Sequence, residues 1–178
     1  MGTIGNIADI SRIFANTNTA AAGGAVAALI LTQIMYGKSD LTMVLNGALA
    51  GLVSITAEPL EPSLWLATII GAIGGIIIVF SVPILDRLKI DDVVGAISVH
   101  GIAGIWGTLA VVLSNSKATL GDQIIGTFSI CLFTFIVSYL AWLILDMAMG
   151  VRVSQENEIE GLDKSELGID AYPEFTKN

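Results

Sequence analysis

Charge is scarce in this chain: 13% of its 178 residues are charged, against roughly a quarter in a typical soluble domain. Only 8 are basic against 16 acidic, which excludes a nucleic-acid binder, whose contact surface must be positive. The single cysteine, Cys131, rules out an intrachain disulfide and a multi-cysteine metal centre. With one histidine, His100, no serine or cysteine nucleophile has a second imidazole to activate it, and no glycine-rich phosphate loop follows a strand pattern. Neither an enzyme nor a bound cofactor or metal is expected. What the chain does have is apolar: 54% of residues with glycine left out, and a mean hydropathy of +0.80. A membrane protein is the class this composition allows.

The charges that exist divide the chain. Residues 151–178 hold 3 of the basic and 7 of the acidic side chains, so an acidic polar tail follows an apolar body, residues 1–150. Within the body, charge-free runs predict five spans, at about 13–36, 41–57, 63–85, 93–114 and 123–147. A hydrocarbon layer about 30 Å thick needs roughly 20 apolar helical residues; four runs suffice, and the second is short, to be shielded by neighbours or matched by bilayer thinning. The expected fold is all-α, with five transmembrane helices. Lys38, Arg87, Lys89 and Arg152 fall on one side of the predicted spans and Arg12 and Lys117 on the other. The positive-inside bias then puts the tail in the cytoplasm and the amino terminus outside. The opening MGTIGNIADISRIF lacks the basic-then-apolar order of a secretory signal, so a five-span chain starting outside leads us to expect further sequence upstream.

Small residues fill the spans: AAAGG at 20–24, NGALAG at 46–51, GAIGG at 71–75, and Gly101, Gly104 and Gly107 at intervals of three. In lipid such residues let helix backbones approach closely, because packing must replace the hydrophobic effect; a narrow passage is the other use of the space. Asn16, Thr17, Asn18 and Thr19, at the outer start of the first span, either bond a neighbour or cap the helix. Asp91 and Asp92 open the fourth span, where a carboxylate satisfies free amides. His100 lies eight residues beyond Asp92, about 12 Å along a helix at 1.5 Å per residue. An ionisable group at that depth faces a bundle interior or a wet cavity, and a neutral imidazole there both donates and accepts a hydrogen bond. An interhelical bond and a pore-lining role remain equally open on residue type alone.

Taken together, DDVVGAISVHGIAGIWGTLAVVL at 91–113 resembles the histidine-bearing pore helix of the ammonium transporter, methylammonium permease and Rhesus family. FANTNTAAAGGAVAALI at 14–30 is similar to that family's seventh span, NGALAGLVSITA at 46–57 to its eighth, and RVSQENEIEGLDKSELGIDAYPEF at 152–175 to its cytoplasmic tail. The resemblance implies the second half of an inverted-repeat, eleven-helix fold, in a homotrimer of the plasma (inner) membrane with a pore in each subunit. It implies ammonium or ammonia as cargo. His100 would be the second of two histidines that touch across the pore, its partner belonging to a span absent from this sequence. Ala96 would line the pore, Asp92 would anchor the helix end, and Gly101, Gly104 and Gly107 would set helix approach. Many members carry a third aspartate and a phenylalanine just after the aspartate pair; here the chain reads Gly95, Ala96, Ile97.

In the tail, Gly161, Asp163 and Glu166 match the family's regulatory segment, which packs under neighbouring subunits and takes part in regulation by PII-type signalling proteins; Leu167 stands where a histidine often follows. By residue type alone, Asp163 and Glu166 read as a local capping pair on a solvated acidic helix. The competing expectations are a half-length module that docks such a regulator without transporting, and a fragment without separate function.

Overall fold

The computed structural model describes residues 4–175 and is all helix and loop among them. Helix α1 runs Ile4–Tyr36, α2 Leu41–Ile55, α3 Leu64–Arg87, α4 Ala103–Ala110, α5 Leu120–Met149, α6 Gln155–Glu160 and α7 Leu162–Ser165. A six-residue π-helical turn, Ile97–Ile102, leads into α4, and a 3-10 turn, Val111–Leu113, follows it. Three of these helices, α1, α3 and α5, are long and apolar enough to cross a membrane; α2 and the helix spanning Ile97–Leu113 are apolar but shorter. The residues fall into two compact units, through Ser129 and from Ile130, with α5 running across the division.

Helices α2, α3 and α5 begin where a side chain takes a free amide. Asp40 accepts from the Met43 amide at 3.0 Å and Ser63 from the Leu66 amide at 3.2 Å. At the start of α5, Thr119 Oγ1 accepts from the Asp122 amide and donates to the Asp122 carboxylate at 2.7 Å. Helix α1 begins nine residues before the charge-free run that predicted it, because Asp9 and Arg12 sit on its exposed side and cost the helix nothing.

In the first unit α1, α2 and α3 pack against one another, and the π-turn and α4 pack on α2 and α3. Backbone contact is what the small residues supply. A Cβ on Gly71 or Gly75 would strike the carbonyl oxygen of Ala20 or Gly24 in α1, and one on Gly24 would strike that of Gly47 in α2. Two buried clusters fill the remaining space: Ala20, Ile55, Ala67, Ile70 and Ala110, with Trp106 against them, and Ala50, Ile78, Val99 and Ala103. The Trp106 indole N–H donates to the Ile70 carbonyl at 3.0 Å, which satisfies its one polar atom.

Asn16 is fully buried inside α1 and ties that helix to the α2–α3 loop instead of capping it: its amide donates to the carbonyls of Pro59 and Pro62 at 2.8 and 2.9 Å. The α2–α3 loop is held again by Asn115, which donates to Glu58 at 2.9 Å. Thr17, Asn18 and Thr19 bond carbonyls of their own helix.

In the second unit the tail folds locally. Ser154 caps α6 by accepting from the Asn157 amide, and Arg152 reaches both Glu158 oxygens at 3.0 Å. The expected pairing of Asp163 with Glu166 is not what forms. Asp163 accepts from the Ala171 amide at 2.9 Å, Lys164 pairs with Asp170 at 3.3 Å, and Glu166 meets α7 through its own amide on the Leu162 carbonyl. Gly161, at φ 103°, turns the chain between α6 and α7. The acidic side chain closes a turn with the segment after α7, because Gly161, not Asp163, stands at the N-cap of that helix and has no side chain with which to form a capping box.

Candidate functional site

The site is built on the segment from Asp91 to Ala110. Its helix does not start at residue 93, as the charge-free run suggests, but at Ala96. Gly95 adopts φ 75°, the left-handed region open to glycine and costly for other residues, so the chain bends before the helix can begin. A side chain on Gly95 would also meet the Asn46 amide nitrogen, 2.8 Å from its Cβ position. His100 is thereby one turn from the start of its helix, about 6 Å along it at 1.5 Å per residue, where counting from Asp92 gave about 12 Å.

Asp92 faces that start. Its Oδ1 accepts from the Ile97 amide at 2.8 Å and its Oδ2 from the Ser98 amide at 3.0 Å, two of the donors a helix leaves free at its first turn. Partial burial opposes ionisation of this carboxyl, but these amide bonds outweigh it and hold Asp92 below the ordinary 3.8.

The helix then passes through the π-turn, in which the Ala103 amide reaches back five residues to the Ser98 carbonyl. Such turns are rare and occur mostly as single turns inserted in α-helices, often at functional positions. Ser98 and Val99 are buried against α2 and α3, while Ala96, Ile97, His100 and Gly101 lie exposed on the other side. His100 and Ala96 thus share one open face, and Asp92 stands at its lower end as a cap. Of the three glycines spaced by threes, Gly107 alone is a close approach: a Cβ there would sit 2.6 Å from the Ser54 carbonyl oxygen. Gly104 meets only Val53 Cγ1, 3.7 Å from its Cβ position, and Gly101 only its own helix's Ile97, at 3.8 Å. The other two lie on or beside the open face, where nothing in the first unit presses on them.

Asn46 and Ser98, both buried, and the bend at Gly95 support the site and were not singled out from sequence. The signal for Gly95 was its glycine in place of the family's aspartate; Asn46 was hidden inside a small-residue run. Gly161, Asp163 and Glu166 belong to the tail fold described above. Among the described residues, no three histidine, cysteine, aspartate or glutamate side chains come together as a metal site would require.

The chain is 39% identical to the ammonium transporter Amt2 of Archaeoglobus fulgidus, an alignment covering 93% of this chain and 40% of that one. It is 38% identical to the ammonium transporter Amt1 of Haloferax mediterranei, over 94% of this chain and 34% of that one. Among solved structures, a Sensor Amt Protein superposes with a TM-score of 0.82 at 34% identity, covering 89% of this chain and 42% of the other. Mep2 of Candida albicans superposes with a TM-score of 0.74 at 26% identity, over 82% and 37%. The chain therefore spans about two fifths or less of the length of these relatives. The model of the Ammonium Transporter Family matches residues 1–172, and the chain belongs to that family.

Proposed function

We propose that this chain forms one wall of a pathway for ammonium or ammonia across the plasma membrane, with His100 as its hydrogen-bonding and proton-handling group and Ala96 as small apolar lining. The observation that carries the reading is the placement of His100: the sole imidazole lies on the open face of a packed helical layer, not in its core, in a chain whose relatives are ammonium transporters. An imidazole in such a wall can take a proton at one nitrogen while donating from the other, and a narrow apolar passage rejects hydrated ions by the cost of stripping their water. In this reading the opposite wall comes from the length of the relatives that this sequence does not span. The five apolar helices are its spans, the tail is cytoplasmic, and the assembly is a homotrimer. The test is ammonium-driven flux in proteoliposomes containing the chain together with the first six spans of a relative. His100→Ala is expected to change conductance or its selectivity over potassium; unchanged, fully selective flux refutes the assignment.

A second reading rests on the tail, whose Asp163–Ala171 and Arg152–Glu158 bonds fold it without a partner. In that reading the chain is a module that docks a PII-type regulator and does not transport. Retention of such a protein by the chain, abolished by removing residues 151–178 and accompanied by no flux in any preparation, favours it.

A further inference from the structure

We infer that Asp92 is a positioning residue for His100: by holding the wide turn at Ile97–Ile102, it fixes the side of the helix from which the imidazole projects. The importance of that direction rests on the pore reading above, but the direction itself can be tested without transport.

The phase of the helix shows what the turn does. His100 precedes Gly107 by seven residues, and in an unbroken α-helix seven residues return to within about 20° of the same face. Gly107 is pressed on the Ser54 backbone, so an unbroken helix would aim His100 into α2. It is exposed instead. The same displacement is visible upstream. Ala96 lies seven residues before the buried Ala103 and is exposed, whereas Gly95, eight residues before it, is buried. One extra residue has been absorbed between them, a phase change of about 100° at 3.6 residues per turn, and the reach of the Ala103 amide to Ser98 is where it is absorbed.

A single π-turn relaxes to α geometry unless its surroundings hold it. Downstream it is held by α4, whose Ala103 and Gly107 are buried against the layer. Upstream the fixing groups are Asp92, which takes the Ile97 and Ser98 amides with its two oxygens, and Gly95, whose φ of 75° bends the chain so that the carboxylate reaches amides five and six residues further on. Without the carboxylate those amides lose their acceptors, and the first turn is free to rewind by the one residue it holds in excess.

His100 is the only histidine, so its modification by diethyl pyrocarbonate is read at one site from the absorbance of the carbethoxylated imidazole. The full chain in detergent micelles is compared with Asp92→Ala and Gly95→Ala, and with Asp91→Ala as the control for removing a neighbouring acid. The expected result is a severalfold slower modification in Asp92→Ala and Gly95→Ala at unchanged helical circular dichroism, because the ring turns toward α2, with Asp91→Ala at the unsubstituted rate. A merely destabilising substitution moves the rate the other way, since unfolding exposes the ring. Rates equal to the unsubstituted chain in both variants overturn the inference, as does a faster rate in a variant that keeps its helix signal. Should Asp92→Ala lose helix, Gly95→Ala decides by the same two outcomes. If the rates shift as expected while His100→Ala leaves flux unchanged, the positioning stands and the pore assignment alone falls.

Discussion

Replacing Gly107 with alanine tests how much of the layer's stability depends on backbone contact. The added methyl would lie 2.6 Å from the Ser54 carbonyl oxygen and 2.8 Å from its Cα. Ordinary contact begins at 3.4 Å, so α4 must withdraw from α2 by about 0.8 Å or the methyl must be compressed. Both neighbours are backbone, and no side chain can rotate out of the way. Overpacking of this kind costs about 1–3 kcal/mol, but alanine also gains up to about 1 kcal/mol over glycine in a helix interior, which would mask part of the effect. Gly104 supplies the correction. It lies in the same helix, and its added methyl meets only Val53 Cγ1 at 3.7 Å, so Gly104→Ala carries the propensity gain without the collision. The difference between the two variants isolates the contact at about 1–3 kcal/mol, roughly a five- to hundredfold change in the folded ratio at 1.4 kcal/mol per decade. Reversible unfolding in mixed micelles with increasing denaturing detergent, followed by circular dichroism, measures it. Equal midpoints for Gly107→Ala and Gly104→Ala refute the claim that α4 rests on α2 through Gly107.

Three further outcomes follow from named bonds. Asn16→Ala leaves the Pro59 and Pro62 carbonyls without their donor and opens a buried space, and the same unfolding assay is expected to show a loss of about 2–4 kcal/mol. Asp92 has a folded pKa below its ordinary 3.8; its contribution to stability is therefore complete above pH 4 and lost as the pH falls through the folded value. The stability gap between the unsubstituted chain and Asp92→Ala should accordingly be constant from pH 5 to 7 and close only in stronger acid, and a gap that persists unchanged to pH 2 contradicts it. The Ala171 amide bond also holds Asp163 below the ordinary carboxylate range, so Asp163→Ala should speed hydrogen exchange at Ala171 and leave that of the α1 amides unaltered.

Much of the body was legible because its signal is one-dimensional. Long charge-free runs mark apolar helices, and five runs correspond to the five apolar helices, with ends displaced by up to nine residues where a charged residue lies inside a helix. Asp9 and Arg12 show why: a charged residue on the exposed side of a helix does not end it. The start of the fourth helix was misplaced for the opposite reason. Nothing polar marks residues 93–95 as non-helical; the bend at Gly95 and the carboxylate reaching forward from Asp92 to the Ile97 and Ser98 amides do, and both are matters of three-dimensional closure. His100 stood out by being alone, yet its direction was hidden, since a π-turn inserts a residue into a periodicity that sequence patterns assume to be constant. The threefold spacing of Gly101, Gly104 and Gly107 suggested a common role, but the same turn leaves Gly101 facing open space and only Gly107 against a neighbour. In the tail, the partner of Asp163 was missed because it lies eight residues away, across two turns of chain.

The mutual packing of the first three helices has a consequence for biogenesis. Each of α1, α2 and α3 touches the other two, and the Asn16 tie to the α2–α3 loop is made within the first 62 residues. Every contact of that trio is therefore available once the chain has been synthesised to Arg87, before the segment bearing His100 is made. The helix bearing His100 packs on a layer whose mutual contacts need none of its residues. Translation order thus places the π-turn after the α2 and α3 surfaces it packs on, which can act as its template.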